Sequence, residues 1–187
     1  MSRGSTGPVY LCAHPQGGAT AVHSIAVDAR LTAGGSLSCR YELRADMARV
    51  RVPPAGAGRR ADELWRHTCF EAFVGATGTD AYYEFNFSPA RDWAAYRFAA
   101  YRTGMTPAVL AAAPELQVRG DAGGLEVVAS VQLGTLSLAA GAAALRVALA
   151  AVIEDADGGL GYWALRHPPG RADFHHPESF TLELAPT

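Results

Sequence analysis

Two stretches of this chain gather most of the side chains able to do chemistry. The first runs from Glu63 through Trp65, Arg66, His67, Cys69 and Glu71 to Val74, and continues through Tyr82–Pro89 and Asp92–Phe98. The second is Gly161–Pro168, carrying Trp163, Arg166 and His167, followed by Asp173, Phe174, His175, His176 and Pro177. Glu71 and Glu84 could form the carboxyl pair of glycoside hydrolysis, which needs a separation of about 5–10 Å and one raised pKa. His167, His175 and His176, with Asp173, raise the question of a metal, because imidazole is the commonest transition-metal ligand. Their spacing follows no metal-binding pattern. Adjacent histidines on extended chain also face opposite ways, so only one of His175 and His176 could join His167. Pro168, Pro169, Gly170 and Pro177 mark this segment as a loop whose polar groups bond backbone, and no metal is assigned. Haem is not assigned either, since Met47 and Met105 fall in expected loops and nothing pairs Met105 with a histidine at a distinctive spacing. No GxSxG, no P-loop and no GxGxxG opening a helix occurs, and no residue is given a catalytic role.

What remains is binding chemistry. Trp65 and Trp163 could wall a pocket, although a tryptophan at a strand end more often simply packs. Glu71, Glu84, Asn86 and Arg166 are the polar groups that could line it. Arg66, His67, Arg97, His167, Asp173 and His175 are secondary candidates.

The elements that must position these groups read as strands. Leu37, Cys39, Tyr41 and Leu43 alternate with Ser38, Arg40, Glu42 and Arg44, a period of two that buries one face of a strand and wets the other. The same alternation recurs at Leu125–Leu133, at Tyr83–Phe85–Phe87 against Glu84 and Asn86, and at Phe180–Leu182–Leu184. Fainter strands are expected at Val9–Ala13, Ala21–Leu31, Ala48–Val52, Cys69–Val74, Trp93–Ala99, Leu145–Ile153 and Gly161–Arg166. Within Ala139–Ile153, the interruption at Gly141 and the pattern of Leu145, Val147, Leu149, Ala151 and Ile153 favour strand over helix. One helical turn is expected around Pro107–Ala113. About ten short strands with turn clusters between them, and no intervening helices, predict an antiparallel β-sandwich of jelly-roll type. Glu71 shares its strand face with Cys69 and Phe73, so an acid is expected among apolar neighbours, a position tolerated only when it is paired or hydrogen-bonded.

Composition bounds the remainder. The 187 residues, 49% apolar, suit one domain with a substantial core, placed at about residues 8–185. With 18% charged residues and a net charge of −2, the chain has neither the basic excess of a nucleic-acid binder nor an acidic tail. All 16 basic residues are arginine, a usage that fits a GC-rich genome. Cys12, Cys39 and Cys69 are odd in number and sit in apolar runs, as reduced buried thiols do. No run approaches 18 apolar residues, and residues 1–10 lack the apolar stretch of a signal peptide. The expectation is a cytoplasmic protein with no nucleic-acid or membrane partner.

The two chemistry-bearing stretches also carry a family resemblance. Leu64-Trp65 with Glu71, then Tyr83-x-Phe85-x-Phe87-x-Pro89 and Trp93, resembles the central signature of DOMON-like domains related to family 9 carbohydrate-binding modules. Tyr162-Trp163-Ala164-Leu165-x-His167-Pro168 and Asp173-Phe174-His175-His176 resemble the closing strands of a bacterial branch of that group. The resemblance spans about residues 8–185 and implies the sandwich fold. It also implies a sugar stacked between two tryptophans, with Trp65 similar to the first, Trp163 to the second, Glu71 to an acidic contact and Asn86 to an amide contact. At Glu84 the sequence departs from the pattern, which carries a basic residue there; Arg66 and Arg97 are the candidates to supply that cation. A small polyhydroxylated ligand is thus expected. A protein-interaction module without a pocket, in which Trp65 and Trp163 would both be packed away, and a carboxylate-dependent enzyme are the alternatives.

Overall fold

A computed structural model describes residues 5–18, 21–136 and 144–186. Its strands are β1 (Val9–Tyr10), β2 (Cys12–Ala13), β3 (Val22–Leu31), β4 (Ser36–Ala45), β5 (Cys69–Ala76), β6 (Tyr82–Phe87), β7 (Trp93–Phe98), β8 (Thr106–Pro107), β9 (Glu115–Asp121), β10 (Gly124–Gln132), β11 (Leu145–Glu154), β12 (Leu160–Ala164) and β13 (Leu182–Leu184). They form two antiparallel sheets. The five-stranded sheet has the order β1-β3-β4-β10-β9; the eight-stranded one has β2-β12-β11-β5-β6-β7-β8, with β13 added on β11. The all-β sandwich expected from the alternation is the fold observed.

The five-stranded sheet follows its sequence closely. Leu37, Cys39, Tyr41 and Leu43 of β4 and Val127, Ala129 and Val131 of β10 are buried between the sheets. Arg40, on the other face, bridges Glu42 and Glu126 at 2.9 and 2.6 Å, an arrangement that keeps the outside of the sheet charged and wet.

The eight-stranded sheet is different, because every residue of β5 and β6 is buried on both faces. Phe70, Ala72, Val74, Tyr83, Phe85 and Phe87 meet the other sheet. Phe73, Tyr82, Tyr96, Phe98, Ala148, Ala150 and Val152 form a second apolar cluster on the far side, roofed by Phe174 and Phe180 from the Asp173–Phe180 loop and by the turn at Leu64–Arg66. Glu84 and Asn86, on the strand side that ordinarily meets water, therefore lie under cover.

Three local expectations are corrected, and one strand is added. Ala48–Val52 is not a strand: the Asp46 side chain accepts from Ala48 N and starts a 3-10 turn at Met47–Arg49, leaving Val50 a single bridge to Asp155. No helical turn forms at Pro107–Ala113. Thr106–Pro107 pairs with β7 at the sheet edge, where a residue without an N–H costs no ladder bond. Phe180 ends a 3-10 turn, Pro177–Ser179, and does not extend β13. Strand β9 was not anticipated, because only Leu116 and Val118 face the core and the rest of this edge strand is largely exposed. The expectation for Ala139–Ala143 falls outside the described residues.

Candidate ligand-binding site

Register decides which groups meet. Glu71 sits opposite Asn86 and Ala150, while Glu84 sits opposite Phe73 and Tyr96. Both acids and Asn86 therefore project from the far side of the eight-stranded sheet. A cavity of about 490 Å³ lies there. Glu71, Glu84 and His175 supply its polar wall, Trp65, Phe98, Tyr162 and Phe174 its aromatic walls, and Arg66, Arg102 and Met105 also line it.

The acids are unusual groups to find there. Glu71 is 3% exposed and Glu84 4%. The Asn86 amide donates to Glu84 Oε1 at 2.6 Å, and Asn86 Oδ1 faces the Cys69 thiol at 3.6 Å. Glu71 Oε1 is buried with no hydrogen-bond partner. Burial raises the Glu71 carboxyl well above its ordinary range, and the neighbouring Glu84 raises it further. Burial likewise lifts Glu84, to about 7, against the opposing pull of the Asn86 bond and the Arg102 charge. The physical cause is the same for both: a carboxylate loses hydration that its surroundings do not replace.

The walls are held by two strained turns. Arg102 adopts φ 51 in the hairpin after β7, a left-handed conformation costly for a residue with a side chain. Its guanidinium bonds Asp173 Oδ1 through Nε and Nη2 at 3.2 and 2.7 Å, and its N–H donates to Tyr82 Oη at 3.3 Å. Asp173 also accepts from the Tyr101 hydroxyl and, at 3.1 Å, from His175 N. Desolvation pulls the Asp173 carboxyl upward, but the Arg102 and Tyr101 bonds outweigh it and hold the group below its ordinary value. Glu63 is the second left-handed residue, at φ 60, and pairs with Arg66 at 2.9 Å across the turn that carries Trp65. The Trp65 ring meets Tyr96 edge-on, with centroids 5.7 Å apart.

His175 completes the wall. Its Nδ1 lies 2.8 Å from the Tyr82 hydroxyl and its Nε2 3.6 Å from Glu84 Oε2. Since Tyr82 Oη already accepts from Arg102 N, the assignment that satisfies every partner has Tyr82 donating to Nδ1 and the ring proton on Nε2, facing the acid. Burial and the Arg102 charge lower His175 to about 4, so the ring is neutral near pH 7.

Of the residues singled out in the sequence, Trp65, Glu71, Glu84, Arg66 and His175 line the cavity. Asn86 and Asp173 stand behind it, bonding Glu84 and Arg102. The others lie elsewhere. Trp163 pairs in register with Ala151 and is packed in the inter-sheet core; neighbouring residues on a strand face opposite ways, so Tyr162 reaches the cavity in its place. Arg166 is exposed and paired with Glu178 at 2.8 Å. Arg97 shares the register position of Tyr83, on the side of the sheet away from Glu84. His67 Nδ1 bonds Glu154 at 2.7 Å. His167 bonds the Cys12 carbonyl at 2.8 Å and packs edge-on against His14, so it does not join His175. The cation expected near Glu84 is Arg102. Turn residues Thr103 and Gly104 hint at the hairpin, but no sequence pattern marks a non-glycine left-handed residue.

No protein-family model matches the chain, and no curated protein matches it. Solved structures do. A proposed carbohydrate-binding protein from Bacteroides uniformis superimposes with a TM-score of 0.68 at 15% identity, over 96% of this chain and 85% of that one. A family 9 carbohydrate-binding module from Caldicellulosiruptor kristjanssonii, in complex with cellotriose, gives 0.52 at 13% identity, over 95% and 79%. In fold, the chain is similar to family 9 carbohydrate-binding modules. That likeness accounts for the two-sheet layout and leaves the cavity's chemistry to be read from its own residues.

Proposed function

We propose that this chain is a small-ligand-binding β-sandwich that holds a sugar or sugar-derived metabolite in the cavity between the Asp173–Phe180 loop and the eight-stranded sheet. The observation that carries this reading is Glu71 Oε1, a buried acceptor left unpartnered beside an aromatic-lined cavity of about 490 Å³. Buried polar atoms are nearly always bonded, so an unpartnered acceptor on a residue lining a cavity calls for a partner that a bound ligand can supply. A pyranose offers an apolar face for Trp65 or Tyr162 and a belt of hydroxyls for Glu71, Glu84, His175 and Arg102. The volume falls within the roughly 300–1,000 Å³ range of small-molecule pockets. The similarity in fold to a module solved with cellotriose supports the same reading. Kinship with DOMON-like domains is its finer form, resting on the Leu64–Glu71 and Tyr83–Pro89 motifs.

Two features favour binding over the alternatives. Hydrolysis by a retaining pair needs one carboxylate ionised as nucleophile, whereas burial pushes both Glu71 and Glu84 toward the neutral form. A module without a pocket would pack both tryptophans away; Trp163 is packed, but Trp65 is half-buried on the cavity wall. Titration calorimetry against mono- and disaccharides tests the proposal. Heat with at least one sugar, lost in Trp65→Ala, is expected; no heat with any at millimolar concentration overturns it.

A further inference from the structure

The charges around the cavity do not balance, and the imbalance names a ligand class. Arg102 is committed to Asp173 through two bonds, and Arg66 to Glu63. His175 is neutral, its Nδ1 engaged by Tyr82. Glu84 has an amide bond from Asn86 and only a long approach from His175, while Glu71 Oε1 has no partner. Ionising the two acids therefore leaves a net negative charge at the cavity, because its lining cations among the described residues, Arg102 and Arg66, are each paired with another acid. Around them stand Trp65, Phe98, Tyr162 and Phe174, whose ring faces attract cations. Aromatic walls beside uncompensated buried carboxyls suit a protonated amine better than a neutral hydroxyl.

From this arrangement we propose that the ligand carries a cationic nitrogen seated against Glu71, making it an amino sugar or an amine-bearing derivative of one. The inference rests on the sugar reading and adds the charge. A bound ammonium donates to Glu71 Oε1, supplies the missing countercharge and replaces the hydration lost on burial.

The sign of the pH dependence separates this from a neutral ligand. The groups facing the acids are Arg102 and Asp173, which stay charged, Tyr82, Tyr96 and the Cys69 thiol, which burial holds protonated, and His175, neutral above its value of about 4; Tyr41, also held protonated, bonds the Glu71 carbonyl from the inter-sheet side. Arg66 and Glu63 stand at the rim as a pair. Between pH 5 and pH 7 Glu84, raised to about 7, is thus the group that changes, and Glu71 is held toward its neutral form by burial and by Glu84. A cation binds their ionised form and binds tighter as pH rises, whereas a hydroxyl that accepts from a protonated carboxyl binds more weakly.

Calorimetry of the full chain with glucosamine, glucose, N-acetylglucosamine and cyclohexylamine tests the proposal. At pH 7 glucosamine is expected to bind at least about tenfold tighter than glucose, the worth of one charge-assisted bond, with the gain absent in the acetylated sugar. The advantage grows from pH 5 to pH 7 and collapses in Glu71→Gln; should that variant not fold, the wild-type pH series decides. If glucose and glucosamine bind equally, or glucose binds tighter, the cation inference is overturned while the sugar reading stands. If cyclohexylamine binds and no sugar does, the cation inference holds and the sugar reading falls. If none binds, both fall.

Discussion

The two faces of the eight-stranded sheet are made from the same strands and do opposite things. Toward the other sheet, Phe70, Phe85, Phe87, Leu149 and Ile153 pack into hydrocarbon with almost no exposure. On the far side, the alternate residues of the same strands include aromatics but also Glu71, Glu84 and Asn86, and the covering loop leaves a cavity of about 490 Å³ there. One face is optimised for packing. The other retains buried acids with raised pKa values, which is costly unless something binds them, and such groups cluster at functional sites.

Substitutions can break or sharpen that contrast. The largest effect is expected on the packed face: Phe85→Ala should cost about 3–5 kcal/mol in urea unfolding, with ligand affinity of the folded fraction unchanged. Equal losses of affinity and stability would show that the two faces are coupled. Trp65→Ala should do the reverse, weakening binding about thirtyfold or more, as a central aromatic contact does, for a smaller cost of about 1–2 kcal/mol in stability.

Glu71→Gln should stabilise the ligand-free protein at pH 8, read as a higher melting temperature. The sign follows from a folded pKa raised above the unfolded one: the stabilisation belongs to low pH and is lost as pH rises through the folded value, a loss glutamine does not suffer. A clear drop in melting temperature at pH 8 would instead mean that the carboxylate is compensated in the empty site.

A finer test sets Glu84 against His175. Glu84 is raised from 4.5 to about 7 and His175 lowered from 6.5 to about 4. Between pH 4.5 and 6.5 the folded state holds the glutamate proton that the unfolded chain releases, and lacks the histidine proton that the unfolded chain binds. The acids make stability fall with rising pH, and the histidine makes it rise. His175→Asn should therefore steepen the fall, and Glu84→Gln should flatten it, each by about 1–2 kcal/mol across the window, read from melting temperatures. Smallest of all, Arg97→Ala and Arg166→Ala should change stability by no more than about 0.5 kcal/mol and leave binding alone, since both lie exposed and away from the cavity.

Much of the fold was legible in the chain because alternation is a local consequence of strand geometry. Leu37–Leu43 states its buried face outright, and β10 does the same. The site was legible only in part. Glu71 announced itself as an acid among apolar neighbours, and Trp65 and His175 through their motifs. Trp163 misled because Tyr162 and Trp163 are both aromatic and adjacent, and which of them faces the cavity depends on the register of β12 against β11. Arg102 was missed because its role depends on a left-handed backbone and on Asp173, 71 residues away.

The sequence by itself thus determined most of the strands, the side of each that meets the other sheet and the class of the fold, since these follow from side-chain period within a few residues. Tertiary structure alone decided that the second face of the eight-stranded sheet is roofed, that Glu71 and Glu84 line one cavity, and that Arg102 supplies the cation near Glu84 while Arg97 points away. Burial and charge pairing arise between distant segments, and a carboxyl's chemistry is set by whatever the fold brings beside it.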